Sequence, residues 1–84
     1  MTKEDFKKLS LSEKGMVLIS EGKHLTQVKK GNILLNLYSI DDFFVEVYYS
    51  ALSDKINKIE IVNDLSRIDQ YIDDKQKDEK LLLN

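Results

Sequence analysis

Residues 33–49, ILLNLYSIDDFFVEVYY, constrain the fold more than any other stretch of the chain. These seventeen residues hold three charges, two of them adjacent at Asp41 and Asp42. Nine are β-branched or aromatic, the types that suit a pleated, half-buried surface. The stretch reads as two strands, 33–40 and 43–50, joined at the Asp pair, since Asp tolerates the left-handed region better than most residues. A two-residue turn there pairs Ile40 with Phe43, Tyr38 with Val45 and Asn36 with Val47. One face then carries Leu34, Tyr38, Ile40, Phe43, Val45, Val47 and Tyr49. The other carries Ile33, Leu35, Leu37, Phe44 and Tyr48, with Glu46 among them. A one-sided antiparallel sheet alternates apolar and polar residues. This hairpin is apolar at both parities, so both of its faces need cover.

The flanking sequence supplies a frame for that hairpin. TKED at 2–5 and SLSE at 10–13 both carry capping-box spacing, which fits one helix with a redundant start or two short helices. Leu11, Gly15, Leu18 and Ile19 share one helical face, predicting a helix over 11–21. Gly22 is expected as its C-cap in the left-handed region. HLTQV then alternates weakly into KKGN, giving a strand over 24–29 and a turn at Gly31-Asn32. INKIEIV gives a fourth strand over 56–62, with Ile59 and Ile61 on one face. Asn63 or Asp64 is placed to cap a last helix with Leu65, Ile68 and Ile72 on one side and Tyr71 beside them. The expected fold is α+β: an N-terminal helix, a four-stranded antiparallel β-meander and a C-terminal helix.

The chain reads as a single domain over 1–84, with an ordered core over about 9–73 and a charged tail over 74–84. DDKQKDEK offers no apolar face, so the last helix is expected to continue exposed or to fray. The leucines at 81–83 have two readings: docking on the sheet or on a second chain, or a disordered terminus.

Composition narrows the function classes. At 84 residues a domain buries roughly 60% of its unfolded surface, which leaves stability marginal without association. There is no cysteine and one histidine, which removes disulfides, thiolate sites and most histidine metal clusters. The net charge of −2 on a mixed surface argues against nucleic acid as a partner. MTKEDFKKLS shows no secretory pattern, and no apolar run approaches the ~20 residues of a membrane span. A cytoplasmic protein with no membrane partner, no cofactor and no metal is expected.

Glu46 is the residue that stands out, a mid-strand carboxylate between Val45 and Val47. Its expected neighbours are Leu37 on one side and Ile59 on the other. It reads either as a desolvated functional carboxylate or as a structural one toward the open part of its face, bonded to a lysine, arginine or hydroxyl. Tyr38, Phe44, Tyr48 and Tyr49 are the aromatic residues grouped with it as a candidate interaction or ligand site. His24 lacks a visible nucleophile and orienting acid, and reads as a strand-edge surface residue. Asp41 and Asp42 read as a turn rather than a cation site, since no EF-hand spacing surrounds them. Asp69, Asp73 and Asp74 near Lys75 and Lys77 read as a solvated helix face. No phosphate loop, dinucleotide fingerprint, nucleophile elbow or zinc spacing occurs, and no catalytic residue is expected.

Asn36-Leu37-Tyr38, Phe44-Val45-Glu46-Val47-Tyr48-Tyr49 and Lys55-Ile56-Asn57-Lys58-Ile59 together resemble a group of small uncharacterised bacterial proteins of the bacteroidete type. That group shares a short helix ending in Gly, an L-Y strand, an F-V-E-V-x-Y strand, a K-I-x-x-I strand and an acidic helix. The resemblance spans about residues 9–73. It implies a compact α+β domain with no assigned activity, and Glu46 falls on the group's recurring Glu.

The leading expectation is a non-enzymatic protein-interaction domain acting as a homodimer or binding another protein, because uncovered apolar faces mark interaction sites. The alternative is a small-ligand binding domain with a pocket near Glu46 and the tyrosines.

Overall fold

A computed structural model describes residues 1–69 and Tyr71. Helix α1 spans Lys3–Lys7 and α2 spans Leu11–Glu21. Strands β1 (Lys23–Lys30), β2 (Ile33–Ile40), β3 (Phe43–Ser50) and β4 (Lys55–Ile61) come next, and a 3₁₀ turn covers Leu65–Ile68. The strands form one antiparallel sheet in chain order, the expected meander. Apart from Asp69 and Tyr71, the expected C-terminal helix beyond this turn, the tail at 74–84 and the leucines at 81–83 lie outside the described residues.

Both N-terminal caps form, giving two short helices. The Thr2 hydroxyl accepts from the Asp5 amide at 3.1 Å. Ser10 and Glu13 complete a reciprocal box at 3.1 and 2.9 Å, satisfying two amides that the first turn leaves without partners. Gly22 is the C-cap of α2, as expected, but in a different conformation. Its backbone is extended (φ −79°, ψ 150°), not left-handed, because α2 runs straight into β1. Glycine is still required there: a Cβ would stand 2.6 Å from the Leu18 carbonyl oxygen. At the hairpin turns Gly31 (φ 60°) and Asp41 (φ 49°) do take the left-handed region.

The central hairpin has the expected register: Ile40 faces Phe43, Tyr38 faces Val45, Asn36 faces Val47 and Leu37 faces Glu46. Across β3–β4 one expectation fails. Glu46 faces Glu60, and Ile59 faces Val47. An irregularity between Tyr48 and Tyr49 sets Lys58 and Ile56 opposite consecutive residues of β3, with Asn57 as the extra residue. A second, between His24 and Thr26, makes Leu25 the extra residue of β1.

Two separate cores result, one on each face. Phe6 from α1 and Leu18 from α2 pack with Ile40, Phe43, Val45, Val47 and Ile59. On the opposite face Val28, Leu35, Leu37, Val62 and Tyr71 form the second core, with Phe44, Tyr48 and Ile68 against it. Both α-helices therefore cover one face, and the segment after β4 reaches the other. Leu65 does not join that core and is exposed.

Candidate functional site

Glu46 sits mid-strand on the face carrying Leu37 and is 1% exposed. A carboxylate at that depth is tolerable only if its oxygens are hydrogen-bonded and its charge is paired. Both conditions are met from the segment after β4. Arg67 Nε donates to Oε1 at 2.9 Å, and the Tyr71 hydroxyl donates to Oε2 at 2.8 Å. Arg67 Nη2 also donates to the Tyr48 hydroxyl at 2.6 Å. The Lys58 ammonium lies 4.2 Å from the Tyr48 ring centroid and 3.4 Å from Glu60. Two carboxylates on adjacent strands are thus interleaved with two cations, and Glu46 is compensated without opening to solvent.

The electrostatics derive from that arrangement. Burial, reinforced by the hydrogen bond to Glu46, holds the Tyr71 phenol well above its ordinary range, so it remains a donor. The Glu46 hydrogen bond and charge likewise raise Arg67. The structural reading of Glu46, bonded to an arginine and a hydroxyl, fits this geometry, although the residue is buried rather than toward an open part of its face. Sequence reasoning does not single out Arg67 and Tyr71 as partners of Glu46. Their i, i+4 spacing after the last strand, a cation and a phenol on one helical face, is the signal that could have found them.

The five candidate residues do not converge. Phe44 and Tyr48 share the Glu46 face. Tyr38 packs against the α2-side core, and Tyr49, one position from Tyr48, projects to that same side beside Ile56. His24 is exposed on β1, as expected for a strand-edge residue. It stands edge-on to Tyr38 with centroids 5.1 Å apart, and its Nε2 lies 3.0 Å from Asn36 Oδ1. Asn36 Oδ1 also accepts from Gln27 Nε2 at 2.9 Å. That oxygen only accepts, so Nε2–H of His24 is the donor in this contact.

The α2 side holds a more open feature. A groove of about 360 Å³ runs beside α2, lined by Gly15, Leu18 and Ile19 and by Tyr38, Val47 and Ile56 of the sheet. Gly22 and His24 complete its lining, which contains no Asp, Glu, Lys or Arg. Ile19 is 88% exposed at its edge, and Met16 beside it is 67% exposed. Leu11, Gly15, Leu18 and Ile19, the face expected to be buried, in fact straddle this boundary: only Leu18 is buried, and Leu11 and Ile19 are exposed. A short helix laid across four strands shields part of the face and leaves the rest as a groove.

Among the described residues no group of three His, Asp or Glu side chains is placed to hold a metal ion, and no helix is long and apolar enough to cross a membrane. No family model matches the chain, and neither a curated protein nor a solved structure is significantly similar to it.

Proposed function

We propose that this chain is a non-enzymatic protein-interaction domain that self-associates through the face bearing α2. The observation carrying this reading is the groove without Asp, Glu, Lys or Arg that is edged by Ile19 at 88% exposure, with Met16 on the same helix at 67%. Large apolar side chains clustered beside a concave, charge-free surface are what an interface core requires. The Glu46 face supports the same division of labour: its polar groups are satisfied internally, so it offers little to a partner. On this reading the shared Glu of the F-V-E-V-x-Y resemblance holds the fold rather than a ligand.

A small-ligand domain is the second reading, and one observation favours it. The groove volume falls within the few hundred Å³ typical of ligand sites. It would place the ligand beside Tyr38 on the α2 face and away from Glu46, whose two carboxylate oxygens are both engaged.

Light scattering across a concentration series tests the leading reading. A mass rising toward twice 9.8 kDa supports it, and a 9.8 kDa species at high micromolar concentration overturns it.

A further inference from the structure

Gly15 is the residue that α2 should not contain. It lies near the middle of an eleven-residue helix. Glycine in a helix interior is the least favourable residue after proline, because it loses most backbone freedom. Nothing among the described residues demands it. Its φ is not in the left-handed region, and a Cβ built there meets no atom within 4 Å. Gly22 shows the contrast, since its Cβ would strike the Leu18 backbone. Gly15 lines the groove, so its missing side chain leaves open space on a face that the other described residues do not fully cover.

The neighbours of Gly15 are arranged symmetrically about it. Leu11 lies four residues before and Ile19 four residues after, forming one i±4 ridge. Both are exposed. We propose that a second copy of this chain docks here, with the two α2 helices antiparallel and crossing at Gly15 about a two-fold axis. Leu11 of one copy then packs against Ile19 of the other, twice. An isologous contact needs one patch complementary to itself, and a ridge with a central gap flanked by equivalent apolar side chains meets that need. Antiparallel packing also brings the positive end of each helix dipole to the negative end of the other.

The apolar area suits the core of a small interface. Leu11, Ile19 and Ile56 are exposed, and Met16 is exposed farther round α2. Together they offer a few hundred Å² per copy, and a pair that also buries its polar surround must reach about 1,000 Å², the lower bound for a specific interface. The groove lining adds no formal charge that would have to be desolvated.

This inference rests on the self-association reading, and its test separates the two. The full chain has no cysteine, so single cysteines report cleanly. Mixing Leu11→Cys with Ile19→Cys under mild oxidation is expected to give the heterodisulfide in preference to either homodisulfide. Two copies of position 19 stand about 12 Å apart along antiparallel axes at 1.5 Å per residue, beyond the ~7 Å Cα separation a disulfide spans. Gly15→Leu is expected to weaken association at least tenfold while the melting temperature at low concentration does not fall. Ile19→Lys, at an exposed position, is expected to do the same. A chain that remains dimeric in both variants, or that forms position-19 homodisulfides preferentially, overturns the α2 crossing but leaves self-association standing. A wild-type monomer overturns both. Saturable binding of a hydrophobic dye to the monomer, competed by no second copy, reassigns the groove to a small ligand and also overturns the crossing.

Discussion

At Glu46 the structure resolves a conflict that the strand pattern creates. A carboxylate between two valines has to be buried once both sheet faces are apolar. An arginine and a phenol from the segment after β4 make that burial tolerable. The Tyr71 hydroxyl is the more sensitive member, because it lies fully inside. Tyr71→Phe removes it and leaves Glu46 Oε2 without a partner, which costs about 1–3 kcal/mol. Urea unfolding should show a lower midpoint with an unchanged slope. The same contact predicts a response to alkali. The folded state holds the Tyr71 phenol above its unfolded value of 10.0, so the folded chain binds the extra proton. Its contribution is complete below pH 10 and is lost as pH climbs from there toward the raised folded value. Stability should therefore decline above about pH 10 in the wild type and decline less steeply in Tyr71→Phe, as measured by unfolding at matched pH values.

Among the elements, α2 and the two edge strands decide what each face offers. The two glycines associated with α2 should respond in opposite directions to the same substitution. Gly15→Ala adds a methyl group into open space and restores helix propensity, so the monomer should gain about 1 kcal/mol. Gly22→Ala drives a Cβ against the Leu18 carbonyl and should cost about 1–3 kcal/mol, the range for overpacking. Thermal melts of the pair at low concentration check both signs. The sequence made the central hairpin legible because β2 and β3 pair without irregularity across the Asp41-Asp42 turn, so period-two counting held from Ile33 to Ser50. It failed at the edges for a physical reason. Leu25 and Asn57 are extra residues in the ladder, and each reverses the parity of the strand residues beyond it. Counting through Asn57 without a bulge sets Ile59 beside Glu46, whereas the bulge turns Ile59 and Ile61 to the α2 side, where Ile56 already lies, and leaves Glu60 facing Glu46. The weak alternation of HLTQV has the same origin: His24 projects toward Tyr38 and Val28 toward the opposite core. Strand periodicity does not point to Arg67 and Tyr71, which lie 21 and 25 residues from Glu46, because it carries no information over that distance.

For the whole molecule, the two faces differ in the kind of chemistry they could offer a partner. The Glu46 face ends in charged groups at Lys58, Glu60 and Arg67, so a partner bound there would feel salt. The α2 face presents Ile19 and Ile56 in a groove with no Asp, Glu, Lys or Arg in its lining, and Leu11 and Met16 are exposed on the same helix. Charged contacts at the exposed surface weaken as ions screen them, whereas burial of apolar surface does not depend on that screening. Association through the α2 face should therefore hold or strengthen between ~0.05 M and ~0.5 M NaCl, where the Debye length falls to a few Å. Excess sulfate should strengthen it further, because that anion is excluded from protein surface. The net charge of −2 adds only slight repulsion between copies, so its screening should change the dissociation constant by less than the loss of one apolar contact. Sedimentation equilibrium at the two salt concentrations measures this directly. A dimer that dissociates as salt rises would place the contact on the charged face instead, and Lys58→Glu would then disrupt it while Ile19→Lys would not.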